Sequence, residues 1–102
     1  MSEVRLSDQA LEDLSDIWLF IAKDNQTAAS KLVHEITLKY NKLADNPFMG
    51  RSRSEIRAEF RSFSVGAYLI LYVPIPNGVL IHRILHGARN IEDILRKDED
   101  YN

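Results

Sequence analysis

The 102-residue chain has no cysteine, so neither a disulfide framework nor a cysteine-based zinc site is open to it. Its four glycines are scattered at positions 50, 66, 78 and 87, which excludes a Gly-rich phosphate loop. No apolar run reaches the ~18 residues that a membrane span needs. The opening MSEVRLSD lacks the basic-then-apolar pattern of a secretion signal. These absences lead to the expectation of a soluble, cytoplasmic protein. No two histidines have the helical i, i+4 spacing of a metal motif. His82 and His86 are four apart on an expected strand, which predicts one shared face and a separation of ~13 Å, too far for a common ion. We therefore expect no metal and no cofactor. Ser62 and Ser64 lack any hydrolase context.

What the chain does contain is an ordinary globular balance, 45% hydrophobic and 27% charged residues. A chain of this length suits a single domain, taken as residues 1–102. The net charge of −2 argues against nonspecific nucleic-acid binding, but the charges are unevenly spread. Residues 1–50 carry five basic and eight acidic residues, residues 51–89 carry six and two, and residues 90–102 carry two and five. All six basic residues of the middle segment are arginines: Arg51, Arg53, Arg57, Arg61, Arg83 and Arg89. The planar guanidinium fork suits carboxylates, phosphates and aromatic faces, so this segment is the candidate anion-facing surface.

The organising stretch is RSFSVGAYLILYVPIPNGVLIHRILHGARN at 61–90. Tyr68–Val73 and Val79–Leu85 are rich in Tyr, Val, Ile and Leu, and they predict two mostly buried strands. The intervening Pro74-Ile75-Pro76-Asn77-Gly78 predicts a short hairpin loop, with Asn77-Gly78 supplying positive φ. Upstream, Phe60–Val65 alternates as a further strand, and Glu3–Leu6 as a short one. Ser7 suits a helix N-cap with Asp8 in the first turn. Ala10, Leu14, Ile17, Trp18 and Ile21 recur at three and four, predicting an amphipathic helix over about 8–23. Asn25 or Thr27 can cap a second helix with Ala29, Leu32, Val33, Ile36, Tyr40 and Leu43 on its apolar face, ended by Asn46-Pro47. The short break between the helices predicts an antiparallel helical hairpin. Residues 47–59 predict a loop with a helical turn at 54–58 and with Phe48 packed on the core. Ile91, Ile94 and Leu95 suggest a short C-terminal helix.

The expected fold class is thus α+β, in the order β-α-α-β-β-β. The helical hairpin packs on one face of a mainly antiparallel sheet, a short C-terminal helix follows, and the second sheet face is left open for partners. Glu55 and Glu59 among the arginines read as surface ion pairs. Tyr68 and Tyr72 read as sheet or core residues, and His34 as a helix-face residue. Arg83 interrupts an apolar strand and must face solvent or meet a carboxylate.

ALEDLSDIWLFIAKDN, AASKLVHEI, LADNPFMGRSR, FRSFSVGAYLILY and IHRILHGARNIEDIL together resemble the ParE branch of the ParE/RelE toxin superfamily, over about Val4 to Leu95. NP-x-x-GR at 46–51, RSFSVGAYLILY at 61–72 and LHGARN at 85–90 are the most specific pieces. The resemblance implies the toxin of a type II toxin–antitoxin pair, a protein inhibitor of DNA gyrase that blocks replication and arrests growth. It implies a ParD-like antitoxin whose acidic C-terminal segment wraps the toxin in a hetero-oligomer, with DNA contacted only through the antitoxin. It implies no cofactor and no membrane partner. Arg51, Arg53, Arg57, Arg61, Arg83, His86 and Arg89 are then the expected target or antitoxin contacts. The alternative is the superfamily's RelE-like branch, ribosome-dependent mRNA endonucleases. In that case Arg61, Arg83 and His86 would bind phosphate, stabilise charge and transfer a proton, while the chain lacks a lysine in the 51–57 loop and Tyr101 makes a poor acid. A third reading is an inactive antitoxin-binding module. Arg83→Ala and His86→Ala are expected to lower toxicity with the fold intact.

Overall fold

Two side-chain caps set the first half of the chain. The structure, a computed structural model, describes residues 2–87 and 90–100. After strand β1 (Glu3–Leu6), Ser7 caps helix α1 (Asp8–Ala22), its hydroxyl accepting from the Ala10 N–H at 3.0 Å. The same hydroxyl donates to His82 O at 2.7 Å, so the cap ties the helix start to a distant strand. Asn25 caps helix α2 (Gln26–Asp45) by accepting from the Ala28 N–H at 3.0 Å. Either cap satisfies a backbone donor that the helix leaves orphaned. Only Lys23, Asp24 and Asn25 separate the helices, which therefore fold back on one another. The indole N–H of Trp18 reaches Ser30 Oγ across the pair at 3.3 Å.

Strands β2 (Arg51–Ser52), β3 (Arg61–Val65), β4 (Tyr68–Ile75) and β5 (Gly78–His86) follow, then helix α3 (Ile91–Asp100). The sheet order is β1-β5-β4-β3-β2. β1 runs parallel to β5, and the other pairings are antiparallel. This is the expected α+β arrangement. The two-residue β2 lies inside the expected loop, where it is too short to show a period.

The hairpin differs from its expected form in a way that explains both of its punctuating residues. Pro74 and Ile75 belong to β4, pairing with Val79 and Gly78, and the connection is only Pro76-Asn77. Proline is tolerated here because the β3 ladder has ended at Tyr72, leaving this part of β4 at an edge. Neither Asn77 nor Gly78 takes a positive φ; among the described residues only Gly66 does, at 57°. Gly66 opens the two-residue turn between β3 and β4, as primed hairpin turns require. Gly78 is demanded by contact instead: a Cβ there would overlap the Glu3 backbone of β1.

On one sheet face the helices bury Ala10, Ile17, Ile36 and Leu43 against Ile70, Tyr72, Val79, Ile81 and Ile84. Each large side chain fully buried there contributes roughly 1.5–3 kcal/mol of transfer free energy. The opposite face, which the sequence led us to expect open, is covered. Phe60, Leu71, Leu85, Ile91 and Leu95 form a second cluster there, joined by Ile56 and Val73, so α3 and the 53–60 loop cover that face.

β5 carries one more irregularity that places the site residues. Leu71 pairs with Arg83 and Tyr72 with Ile81, so His82 is an extra residue, a β-bulge. The bulge breaks strict alternation and puts the two strand histidines against different neighbours. His82 stacks on Phe60 of the second cluster, with centroids 5.1 Å apart, and His86 meets Tyr68 of the first edge-on at 5.4 Å. The expectation of one shared face fails for this reason.

Candidate functional site

The two arginines that flank the hairpin are committed to different neighbourhoods. β1 ends at Leu6, opposite Ile81, so the rest of β5 has no strand beside it on that edge. Asp13 of α1 takes the vacant place. Its Oδ2 accepts from the Ile84 N–H at 2.9 Å and from Arg83 Nε at 2.8 Å, and its Oδ1 accepts from Arg83 Nη2 at 3.0 Å. Both side chains are only 12% exposed. This is a fork-to-fork carboxylate–guanidinium pair. It clamps α1 onto β5, and it gives Arg83 the carboxylate that its apolar setting demands.

Arg61 stands across β4 from Arg83, opposite Tyr72 where Arg83 is opposite Leu71, and serves a loop instead. One of its nitrogens, Nη1, donates to Gly50 O at 2.7 Å and Phe48 O at 3.3 Å, and the guanidinium lies 4.9 Å from the centre of the Phe48 ring. Beneath it, the buried Tyr72 hydroxyl donates to Pro47 O at 2.8 Å and accepts from the Gly50 N–H at 2.9 Å. Loss of water around the ring pushes the Tyr72 hydroxyl above the ordinary 10.0, with the Gly50 N–H and the Arg61 charge pulling the other way. A Cβ at Gly50 would overlap Tyr72 and the Ser62 carbonyl. The NP-x-x-GR motif thereby gains a physical meaning. Pro47 supplies an acceptor, Gly50 supplies a donor and the necessary space, and Arg51 starts β2.

Phe48 does not pack on the core as expected; it is 72% exposed. The loop fixes its backbone so firmly around Tyr72 that the side chain is directed outward. Further along, Arg53 lies 3.5 Å from Glu55 and reaches Ser62 Oγ at 3.4 Å, and Arg57 lies 5.4 Å from the Phe60 ring centre. Arg51 is exposed on the edge strand. Arg89 and Tyr101 lie outside the described residues.

His86 sits at the far end of β5, exposed, beside Tyr68, Phe20 and Asp16. Arg61 pairs with Tyr72 and His86 with Tyr68, so the register sets them four residues apart along β4, about 13 Å, and on different neighbouring strands. The geometry therefore brings Arg61 together with Phe48, Gly50 and Tyr72, and Arg83 together with Asp13, which borders the same groove as His86, while Arg61 and His86 stay apart. Among the described residues no group of three or more His, Asp or Glu is placed to hold a metal ion, and no helix is long and apolar enough to cross a membrane. Sequence reasoning missed Asp13 and Phe48. The only signal for Asp13 was the need of Arg83 for a carboxylate. For Phe48 it was the Pro and Gly on either side, which restrain a short loop.

The family model described as ParE toxin of type II toxin–antitoxin system, parDE, matches residues 4–91. The chain belongs to the ParE toxin family. Two ParE toxins of Caulobacter vibrioides are similar to this ParE-family chain over most of its length. Toxin ParE3 is 33% identical over 86 residues, covering 83% of this chain and 86% of the relative, and Toxin ParE1 is 30% identical over 91 residues, covering 88% and 94%. Toxin RelE3 of the same organism is 29% identical over 88 residues, covering 85% and 96%. The same fold occurs in a solved chain of the chromosomal ParDE toxin–antitoxin system of P. aeruginosa, at TM-score 0.70 and 18% identity, covering 84% of this chain and 96% of that one. As a ParE-family toxin, the chain belongs to type II toxin–antitoxin biology, and two of the three most specific motifs, NP-x-x-GR and RSFSVGAYLILY, build the Tyr72 and Arg61 centre.

Proposed function

We propose that the chain is a cytoplasmic toxin that inhibits DNA gyrase and so blocks replication, and that a ParD-like antitoxin with an acidic C-terminal segment neutralises it. In this reading residues 1–102 act as one toxin domain. Toxicity arises by protein–protein contact rather than by bond chemistry in this chain. The antitoxin forms a hetero-oligomer with it and contacts DNA on its behalf, and no cofactor takes part. The observation that carries the reading is that Arg61 and Arg83 are engaged in two different hydrogen-bond centres and that His86 lies about 13 Å along β4 from Arg61. A nuclease site needs its phosphate binder, charge stabiliser and proton donor around one scissile bond. Here Arg61 holds a loop, Arg83 holds a helix, and His86 lies at the other end of the sheet from Arg61. The exposed Arg51 and Arg57 are suited to acidic protein surfaces.

The deciding experiment is gyrase supercoiling with the purified protein, run beside mRNA cleavage on translating ribosomes. Loss of supercoiling with accumulated cleaved DNA and intact mRNA is the expected result. Cut mRNA with unaffected gyrase would move the function to His86 and the RelE-like branch, to which the similarity with Toxin RelE3 lends some weight. If neither occurs while antitoxin binding persists, the chain is an inactive binding module.

A further inference from the structure

The most exposed large apolar side chain among the described residues is Phe48, and it stands on a loop held at several points by hydrogen bonds. The Tyr72 hydroxyl bonds both ends of the loop, at Pro47 O and the Gly50 N–H, while Arg61 bonds the two carbonyls between and beside them. Met49, adjacent to Phe48, is itself 38% exposed, and its N–H donates to Asn46 O at 3.0 Å. An aromatic ring held in water on a rigid support adds nothing to the core. It does lose little conformational freedom on binding, which is the property of an interface anchor.

The guanidinium beside it is half used. Arg61 spends Nη1 on the two carbonyls, and among the described residues its Nε and Nη2 have no hydrogen-bond partner. Those two nitrogens form the edge that grips a carboxylate bidentately. A shallow groove of about 310 Å³ runs beside the pair, bordered by Phe60 and Pro74.

We propose that Phe48 is the anchor by which the chain docks into its target, a folded protein offering an apolar pocket of phenyl size with a carboxylate at its rim for Arg61. The proposal rests on the reading of the chain as a protein-directed toxin and goes beyond it by naming the contact. A folded target is favoured over a disordered segment because Phe48 is a convex knob. A knob needs a preformed pocket, which an unfolded chain does not possess. The carboxylate follows from charge complementarity with the free edge of Arg61.

The test compares wild type with Phe48→Ala and Phe48→Tyr in three readouts: growth arrest on induced expression in a bacterial host, thermal midpoint of the purified chain, and capture of the co-expressed product of the adjoining reading frame as the antitoxin probe. The expected result is that Phe48→Ala abolishes growth arrest at an inducer level where wild type and Phe48→Tyr stop growth, with the midpoint and antitoxin capture unchanged. Growth arrest by Phe48→Ala equal to wild type overturns the proposal. Loss of antitoxin capture together with arrest also overturns it, assigning Phe48 to the antitoxin, and a lowered midpoint overturns it by making Phe48 structural. If wild type itself does not arrest growth, it is the toxin reading that fails, which separates the two failures.

Discussion

Arg83 and Arg61 enter the same sheet on strands that flank β4, and they are put to opposite uses. Arg83 gives its forked edge to Asp13, where both groups are nearly buried and the carboxylate also accepts the Ile84 N–H. Arg61 gives one nitrogen to a loop and keeps its fork outward, beside an aromatic ring in water. The difference lies in what the neighbouring strand leaves unpaired. At β5 the missing strand is replaced by a helix bearing a carboxylate, so the charge is consumed in holding the fold. At β3 the neighbour is a two-residue strand and a loop of carbonyls, so the charge is only half consumed. Residue type alone assigns both arginines to anion binding, but the local shortage of backbone partners separates a structural arginine from one available to a partner.

Breaking the Asp13 centre should have the largest effect. Asp13→Ala removes the carboxylate shared by a largely buried guanidinium and the Ile84 N–H, and it should destabilise the chain by about 3 kcal/mol, read from denaturant unfolding. For the same reason Arg83→Ala should not leave the fold untouched: any loss of toxicity in that variant has to be compared with its loss of stability before Arg83 is called a contact. The Tyr72 centre should matter less. Tyr72→Phe removes two hydrogen bonds and strands Pro47 O and the Gly50 N–H, costing about 1–2 kcal/mol in the same measurement.

The alkaline limb of stability sharpens the comparison, because burial raises the Tyr72 hydroxyl above 10.0. The folded pKa of Tyr72 is raised above 10.0, so the folded state holds that proton more tightly than the unfolded one. Its contribution is therefore complete below pH 10 and is lost as pH rises through the folded value. Unfolding free energy measured against pH should fall in wild type from about pH 10 up to the folded value, and the fall should be smaller in Tyr72→Phe. A fall of the same size in both would show that Tyr72 is not its source. The smallest effect belongs to Arg51→Ala, an exposed residue on the edge strand, which should change stability by less than ~0.5 kcal/mol. A larger change would mean that Arg51, like Arg83, is consumed by the fold.

Much of this arrangement was legible in the sequence, for reasons that also mark where legibility ends. The three- and four-residue spacing of Ala10, Leu14, Ile17 and Ile21 reports a face, and Ser7 and Asn25 report caps, because both are local. β3, β4 and β5 announce themselves by composition. The bulge at His82 has no local signature, so the relative facing of His82 and His86 could not be read. α3 was visible as an apolar repeat, but not as the cover of the second sheet face, since periodicity does not say against what an element packs. Gly78 was credited to the turn when its cause is the backbone of β1, far away in sequence. In the site, Arg61 and Arg83 were picked out as residues, and their separate partners were not. Hydrogen bonds such as those of Tyr72 and Asp13 join positions 22 to 71 residues apart.

The parallel pairing of β1 with β5 has a consequence for how the molecule comes into being. Glu3 finds its partner at Gly78, and the cap of α1 reaches His82, so the first element of the chain is completed by one of the last. At ~5–20 residues per second of synthesis, the N-terminal strand waits roughly 4–15 s for its neighbour to be made. Closing so long a loop is a slow, late step in folding. In the sheet that carries both arginine centres, β1 can therefore take its place only after β5 has been made.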